Sequence, residues 1–583
     1  MASVVLADDL PTPNPSRNAY FGDLHLHTSL SFDAIAFRTN TLPEDSYRFA
    51  QGDAVNYLGR EVRRRTPLDF LAVTDHAEYL GVSRLARDSK GPMANTLWSR
   101  LMAGTDGDLL ATMRKLSPSG FRGEAPIAEL RTDELVTSNW QLIVDAAQRY
   151  YRPGKFTTFV AFEWSPMPAG AHLHRNVIFR GPKFPQRPFS AIDSMRPEDL
   201  WRYAENNREH GIDTVIIPHN SNLSDGRMFA VTDSDGAAMS REYAETRARN
   251  ERLVEVTQSK GTSETRPEFS PTDEAAPFEL VDLPGTEKPG GYVRQAYARG
   301  LQIESRIGVN PFALGMVGAT DAHSGVSATE ENNFPGALGT GDSQVDPQRL
   351  FTEKSPVMHM PLTVISASGL TGVWAEQNTR ESIFDAFKRR ETFATSGGRM
   401  SVRMFAGWDF APGLVRKSNW LLQAYARGVP MGADLLARDG AGSRSPRFLL
   451  QAIKDPDGAN LDRIQIVKVW LRDGVEQERV FDAVWAGKRR PDAKTGKLPP
   501  LGDTVDLKTA TYTNTIGAVQ LSGEWTDPQF DPAASAIYYA RVLEIPSPRW
   551  TTYLAVRNGL APPAGVSPMI QERAWTSPIF YKP

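Results

Sequence analysis

The sequence predicts an α/β fold over about the first 400 residues and a β-rich part after them. Three observations predict it. Extended apolar runs alternate with helical patterns up to about Met400, and such alternation argues a mainly parallel sheet, open or closed. Residues of metal-ligand type recur at or just past the C-terminal ends of those runs, the edge on which α/β barrels carry their active sites. Beyond Met400 the helical patterns give way to strand and turn signals.

Taken in order, residues 20–26 read as a weak first strand and 46–65 as an amphipathic helix. Residues 68–74, 156–162, 214–217, 253–257 and 314–319 are buried-strand runs. The stretch 90–152 is helical, separates two ligand clusters and reads as an insertion or cap. Arg196-Pro197-Glu198-Asp199 opens a helix with proline at an early position, and His210-Gly211 closes it. Residues 257–291 are rich in Pro, Glu, Ser and Thr and read as a long loop near the site. Asn378-Thr379-Arg380-Glu381 resembles a capping box before a helix to Arg390. In the C-terminal part, 463–470 and 536–543 read as strands and 455–458 as a turn. The expected division is 17–400 and 401–583.

The chain has 583 residues, 66 basic and 69 acidic, for a net charge of −3. That balance gives no electrostatic case for a nucleic-acid or membrane partner, and no apolar run reaches transmembrane length. With no cysteine, disulfides, thiolate zinc sites, iron–sulfur clusters and a cysteine nucleophile are excluded. The apolar piece Val4-Val5-Leu6-Ala7 lacks a basic flank and is too short for a signal peptide. It fits a trimmed remnant of one, which leaves an exported and a cytoplasmic location both open.

Of nine histidines, seven lie in short clusters, most beside a carboxylate: Asp23-Leu24-His25-Leu26-His27, Thr74-Asp75-His76, His172-Leu173-His174, Pro218-His219-Asn220 and Asp321-Ala322-His323. Packing gives no reason for this arrangement. Imidazole and carboxylate are the usual ligands of zinc, manganese and iron. On a strand, His25 and His27 present both rings to one side. Singly, each histidine is more simply a buried residue with satisfied hydrogen bonds; together they point to a site with more than one metal ion. His210 reads as a helix-end contact with the dipole. Asp23 and Asp75 read as carboxylates that orient ligand imidazoles. Arg175, Arg227 and Lys260 are cations near the clusters that suit an anionic substrate, with solvated surface positions as the alternative. Asn176 and Asn220 suit substrate positioning or turn capping. No GxxxxGK[ST], HExxH or GxSxG occurs.

The set resembles the PHP (polymerase and histidinol phosphatase) superfamily, and more closely the DUF3604 family. The residues that carry the resemblance are Phe21-Gly-Asp-Leu-His-Leu-His-Thr28 with Ser31-Phe-Asp-Ala34, Val73-Thr-Asp-His76, Phe162-Glu-Trp164, Leu173-His-Arg-Asn-Val-Ile-Phe179, Ile217-Pro-His-Asn-Ser-Asn222, Glu255-Val-Thr-Gln258 and Gly318-Ala-Thr-Asp-Ala-His323. Further similarity runs through Gly372-Val-Trp-Ala-Glu376, Arg390-Glu-Thr-Phe-Ala-Thr395 and Leu461-Asp-Arg-Ile-Gln-Ile-Val467, so it covers nearly the whole chain. The resemblance implies a distorted (β/α)7 barrel with two to three divalent metal ions. By motif, His25, His27, Glu163 and Asp321 would hold one ion. Glu163 would bridge to a second held by His174 and His219. Asp33, His76 and His323 would hold a third.

The expected activity is hydrolysis of a small anionic ester, a phosphate mono- or diester or a phosphonate ester, by a metal-activated hydroxide near Glu163. His174, His219 or His172 would protonate the leaving group. Manganese, iron and zinc all suit the ligands. Two other readings stand beside this one: a hydrolase of sulfate esters or carbohydrates, and a non-catalytic structural module.

Overall fold

The computed structural model describes residues 11–583 apart from 92, 103, 105, 343, 356–358, 439–443 and 495. The expected N-terminal remnant at residues 4–7 lies outside them. The fold is mixed α/β, with one large central sheet and several smaller ones. Seven strands surround the histidine clusters: β1 (Asn18–Asp23), β2 (Phe70–Val73), β3 (Thr157–Trp164), β4 (Arg175–Phe179), β5 (Thr214–Pro218), β6 (Leu253–Gln258) and β7 (Gly315–Gly318).

The apolar runs become strands because they are buried on both faces. All of β2, β3, β5 and β6 is buried, and each large apolar side chain so buried is worth roughly 1.5–3 kcal/mol. β1 pairs parallel with β2, and β2 with β3. Gly22 permits the first of these contacts, because a Cβ there would meet the Phe70 carbonyl oxygen at 2.3 Å. β6 and β7 form a second parallel pair.

The mainly parallel expectation fails at β4, which runs antiparallel to both β3 and β5. The links on either side differ. Residues 165–174 are too few for the crossover of a dozen or more residues that a parallel return needs, so β4 turns straight back. As a result the start of β4, not its end, meets the ligand edge. Nor do the hydrogen-bonded ladders form a closed sheet among the described residues. Single parallel bridges, Ile216 to Glu251 and Leu26 to Ala322, join the ladder of β1–β5 to that of β6 and β7.

Two helix expectations also shift. The segment 46–65 is a helix only as Pro43–Ala50, followed by a hairpin of Val55–Tyr57 and Arg60–Val62. Gly52 at φ +88° ends the helical turn, and Asn56 accepts from the Gly59 amide across the hairpin turn at 3.1 Å. Within 90–152, helix Asp133–Tyr150 packs Trp140, Ile143 and Ala147 into the same core as Val160 and Phe162 of β3, so it belongs to the α/β layer. Helix Asp106–Phe121 is the part that reaches over the site.

β8 (Leu370–Ala375) runs antiparallel to β1, and β9 (Thr392–Thr395) to β8. The sheet continues into the C-terminal part. β10 (Leu461–Arg472) pairs with β11 (Ala536–Glu544), which pairs with β12 (Arg573–Thr576), and β12 pairs with β9. A separate four-stranded antiparallel sheet lies beyond residue 400 as well.

Candidate metal centre

The strand ends deliver the clustered side chains to one buried place. His25 and His27 lie just past β1, where Leu26 bridges Ala322. Alternation across that bridge turns both imidazoles the same way, and their Nε2 atoms are 3.1 Å apart. Glu163 sits near the end of β3 with its two oxygens facing different partners. Oε2 is 3.3 Å from His25 Nε2 and 3.1 Å from His27 Nε2. Oε1 is 2.7 Å from His174 Nδ1 and 3.0 Å from His219 Nε2. Asp321 Oδ1 lies 3.3 Å from both His25 and His27. Asp33, in the short 3-10 turn Phe32–Ile35, places Oδ2 3.3 Å from His76 Nε2 and 2.9 Å from His323 Nε2. The structure thus brings together His25, His27, Asp33, His76, Glu163, His174, His219, Asp321 and His323.

These spacings fit metal ions. Two ligands about 2.0–2.2 Å from one ion lie roughly 3.0–3.4 Å apart at ordinary coordination angles. Three sets of donor atoms lie within 4.8 Å of one another: His27, His76 and His323; His25, Glu163 and His219; His25, His27 and Asp321. His174 Nε2, His219 Nδ1 and Asp33 Oδ1 are buried without a hydrogen-bond partner. Burial opposes charge on Glu163, yet His76, His219 and His174 hold its carboxyl well below the usual range. Burial likewise opposes charge on Asp321, which His25 and Lys260 keep low. Buried carboxylates that stay ionised suit a cation. Burial and His25 take His219 down to about 4, and burial and His27 do the same for His323, so both rings are neutral at pH 7 and free to ligate.

Outer partners fix the rings. Glu255 Oε2 is 3.0 Å from His25 Nδ1. Asp75 accepts from the Ser31 hydroxyl at 2.9 Å, and that hydroxyl is 2.9 Å from His27 Nδ1. Asp23 accepts from the His25 amide at 3.1 Å and the Thr320 hydroxyl at 2.6 Å. Asp23 and Asp75 therefore touch backbone and hydroxyls rather than imidazoles. Asp321 has φ +50°, a backbone state that costs a side-chain-bearing residue of order 1 kcal/mol or more. Its amide is tied to the His25 carbonyl at 2.8 Å.

A cavity of about 270 Å³ opens above the cluster, lined by His172, Asn220 and Lys260 among others. Lys260 is ion-paired with Asp321 Oδ2, and Asn220 Nδ2 lies 3.4 Å from the same oxygen. His172 stacks on His174 with ring centroids 4.7 Å apart.

Three expected substrate contacts lie elsewhere. Arg175 is buried in an ion pair with Glu251 at 3.0 Å and lies over Trp164, because a buried guanidinium needs an anion more than a surface one does. Asn176 donates to the Leu24 carbonyl at 3.2 Å between β4 and the chain past β1. Arg227 is exposed, 3.7 Å from Asp225, and is not among the residues lining the cavity.

Sequence reasoning gave Glu255 no role. The signal was a lone carboxylate inside the apolar strand Leu253–Gln258, which burial alone would penalise. It also missed Phe121 and Arg122, which line the cavity from the end of a helix with no motif.

No curated protein matches the chain. A solved structure from Bacteroides vulgatus, a two-domain protein containing a predicted PHP-like metal-dependent phosphoesterase, is 11% identical over 97% of each chain with a TM-score of 0.30. Residues 14–583 match the family described as "Protein of unknown function (DUF3604)", and the chain belongs to that family.

Proposed function

We propose that this chain is a metal-dependent hydrolase of phosphate mono- or diesters or of phosphonate esters, with two to three divalent ions of manganese, iron or zinc. The observation that carries the reading is Glu163, whose two oxygens face two different histidine pairs at 2.7–3.3 Å. A carboxylate so placed could offer one oxygen to each of two ions, as the PHP-like motif set implies. His25, His27 and Asp321 would hold one ion with it, and His174 and His219 the other. Asp33, His76 and His323 would hold a third. A distorted barrel of the seven strands is the arrangement this reading takes, with the candidate ligands near the C-terminal ends of its strands except His174, which precedes the antiparallel β4.

When bound, the ions supply an acidic water and positive charge opposite the phosphoryl oxygens. The chain's own residues do the rest. Lys260, beside Asp321, binds a non-bridging oxygen of the ester and keeps it turned toward the ligand floor. Asn220 orients the same group through its amide. His172 is held well below the usual imidazole range by burial and by His174, so its ring is neutral at pH 7, and it would orient the leaving oxygen through a ring nitrogen.

Elemental analysis and a substrate panel test this. Protein purified without chelator is expected to carry at least two transition-metal equivalents. It should hydrolyse aryl phosphates or phosphonates and leave aryl sulfates and glycosides intact. A chain that stays metal-free after loading with manganese, iron and zinc overturns the reading, and so does a metal-loaded chain that cleaves only sulfates or glycosides.

A further inference from the structure

The cavity above the ligands has two unlike faces. Its floor is imidazole, carboxylate, Lys260 and Asn220. Its walls include Phe37, Met113, Phe121, Met167, Leu223 and Leu338. These six come from five stretches: the chain after the turn Phe32–Ile35, the helix Asp106–Phe121, which gives both Met113 and Phe121, the chain after β3, the turn Ser221–Leu223 and the chain before Gly339–Asp342. One amphipathic helix facing its core would not account for them. Phe37, Met113, Phe121 and Leu338 also pack into the cores beneath. Met167 and Leu223 are half-buried at the edge of those cores, with part of each surface turned outward.

We propose that the ester taken by this site carries one compact apolar substituent, an aryl or branched alkyl group, on its phosphoryl centre. The inference rests on the phosphoester reading above and adds the half of the substrate that the ligand set does not read. Ser117 and Arg122 offer partners at two places on the walls, but the remaining hydroxyls of a sugar or nucleoside against methionine, leucine and phenylalanine lose water and gain none. A ring there loses only water that the walls bind poorly. The volume of about 270 Å³ sits just below the roughly 300–1,000 Å³ of drug-sized sites, so the space suits a phosphoryl group and one ring rather than a nucleotide or a polymer. Arg122, exposed and also lining the cavity, adds positive charge that draws the anion in while the ring seats behind it.

Binding can be read without turnover. Isothermal titration of manganese-loaded protein with methylphosphonate, benzylphosphonate and 2,3-dihydroxypropylphosphonate compares three substituents on one anion. Benzylphosphonate is expected to bind at least about tenfold more tightly than either of the others, the gain for burying one ring. Leu223→Asn should cut that advantage by about threefold or more and leave methylphosphonate affinity within about twofold. Met167→Asn serves as the second variant should the first fail to fold. Equal binding of the methyl and benzyl compounds, or tighter binding of the dihydroxypropyl one, overturns this inference and leaves the phosphoester reading standing. Failure of all three to bind metal-loaded protein overturns the phosphoester reading and this inference with it.

Discussion

Glu163 gives one oxygen to each half of the cluster, with His25 and His27 on one side and His174 and His219 on the other. Glu163→Gln keeps the volume, removes the charge and replaces one oxygen with an amide nitrogen that does not ligate. The variant should fold with an unchanged circular-dichroism spectrum and lose at least one metal equivalent. Its hydrolysis should fall more than about 100-fold, since even outer partners of a ligand are worth 10–100-fold. Unchanged metal content and rate would sink the bridging role. His210 is the control. Its Nδ1 lies 2.7 Å from the Asn206 carbonyl at the end of its helix, where the side chain is exposed. His210→Ala is expected to turn over like wild type, whereas His25→Ala should lose both metal and turnover. The residues that gather in the cluster were legible in the sequence because imidazole beside carboxylate, repeated at strand ends, has no packing use. Arg175 and Arg227 were misplaced because a cation next to a motif looks the same whether it faces the cavity or, like Arg175, a buried Glu251.

At the scale of elements, strand β11 carries a carboxylate that the site does not use. Glu544 is buried, and burial, with Asp455 adding to it, pushes its pKa up to about 8. Unfolded, the group titrates near 4.3. The native state therefore holds a proton that the unfolded state has released, so stability is fully present below about pH 4.3 and is lost as pH rises through 8. Glu544→Gln removes that term. Thermal melts should show the variant gaining Tm over wild type at pH 8.5 and gaining much less at pH 5. A gain that is the same at both pH values would contradict the assignment. Long apolar runs such as 156–162 were legible as strands, since burial on both faces leaves a continuous apolar signature. β4 was not. Five residues that start with Arg175 and Asn176 are too short and too polar at one end to separate from a loop, and their direction is set by the length of the link before them. The hairpin at 55–62 was missed because alternating polar and apolar residues there also satisfy a helical period over so few positions.

At the scale of the whole molecule, the boundary read near residue 400 divides composition but not the sheet, which passes from β9 to β12 without interruption. Composition carries no information about which strand pairs with which. The long loop that follows β6 is held by this C-terminal sheet. Arg541 of β11 contacts Glu264 at 3.1 Å and Asp273 at 2.7 Å. Arg294 reaches the same two carboxylates at 2.6 and 2.8 Å, and Tyr539 and Trp575 donate to Glu264 at 2.7 Å each. All of these groups are buried. The same loop carries Lys260, four residues before Glu264, and Leu283, both lining the cavity. Removing Arg541 leaves two buried carboxylates sharing Arg294, and breaking a buried pair by deleting one partner costs about 3–5 kcal/mol. Arg541→Met is therefore expected to lower unfolding stability by about that amount in a denaturant titration. Because the loop loosens and the ligands do not, the variant should keep its full metal content and raise KM severalfold with a smaller change in kcat. Loss of metal in step with activity would show instead that the C-terminal sheet supports the ligand strands directly, and an unchanged KM would show that Lys260 is held by Asp321 alone.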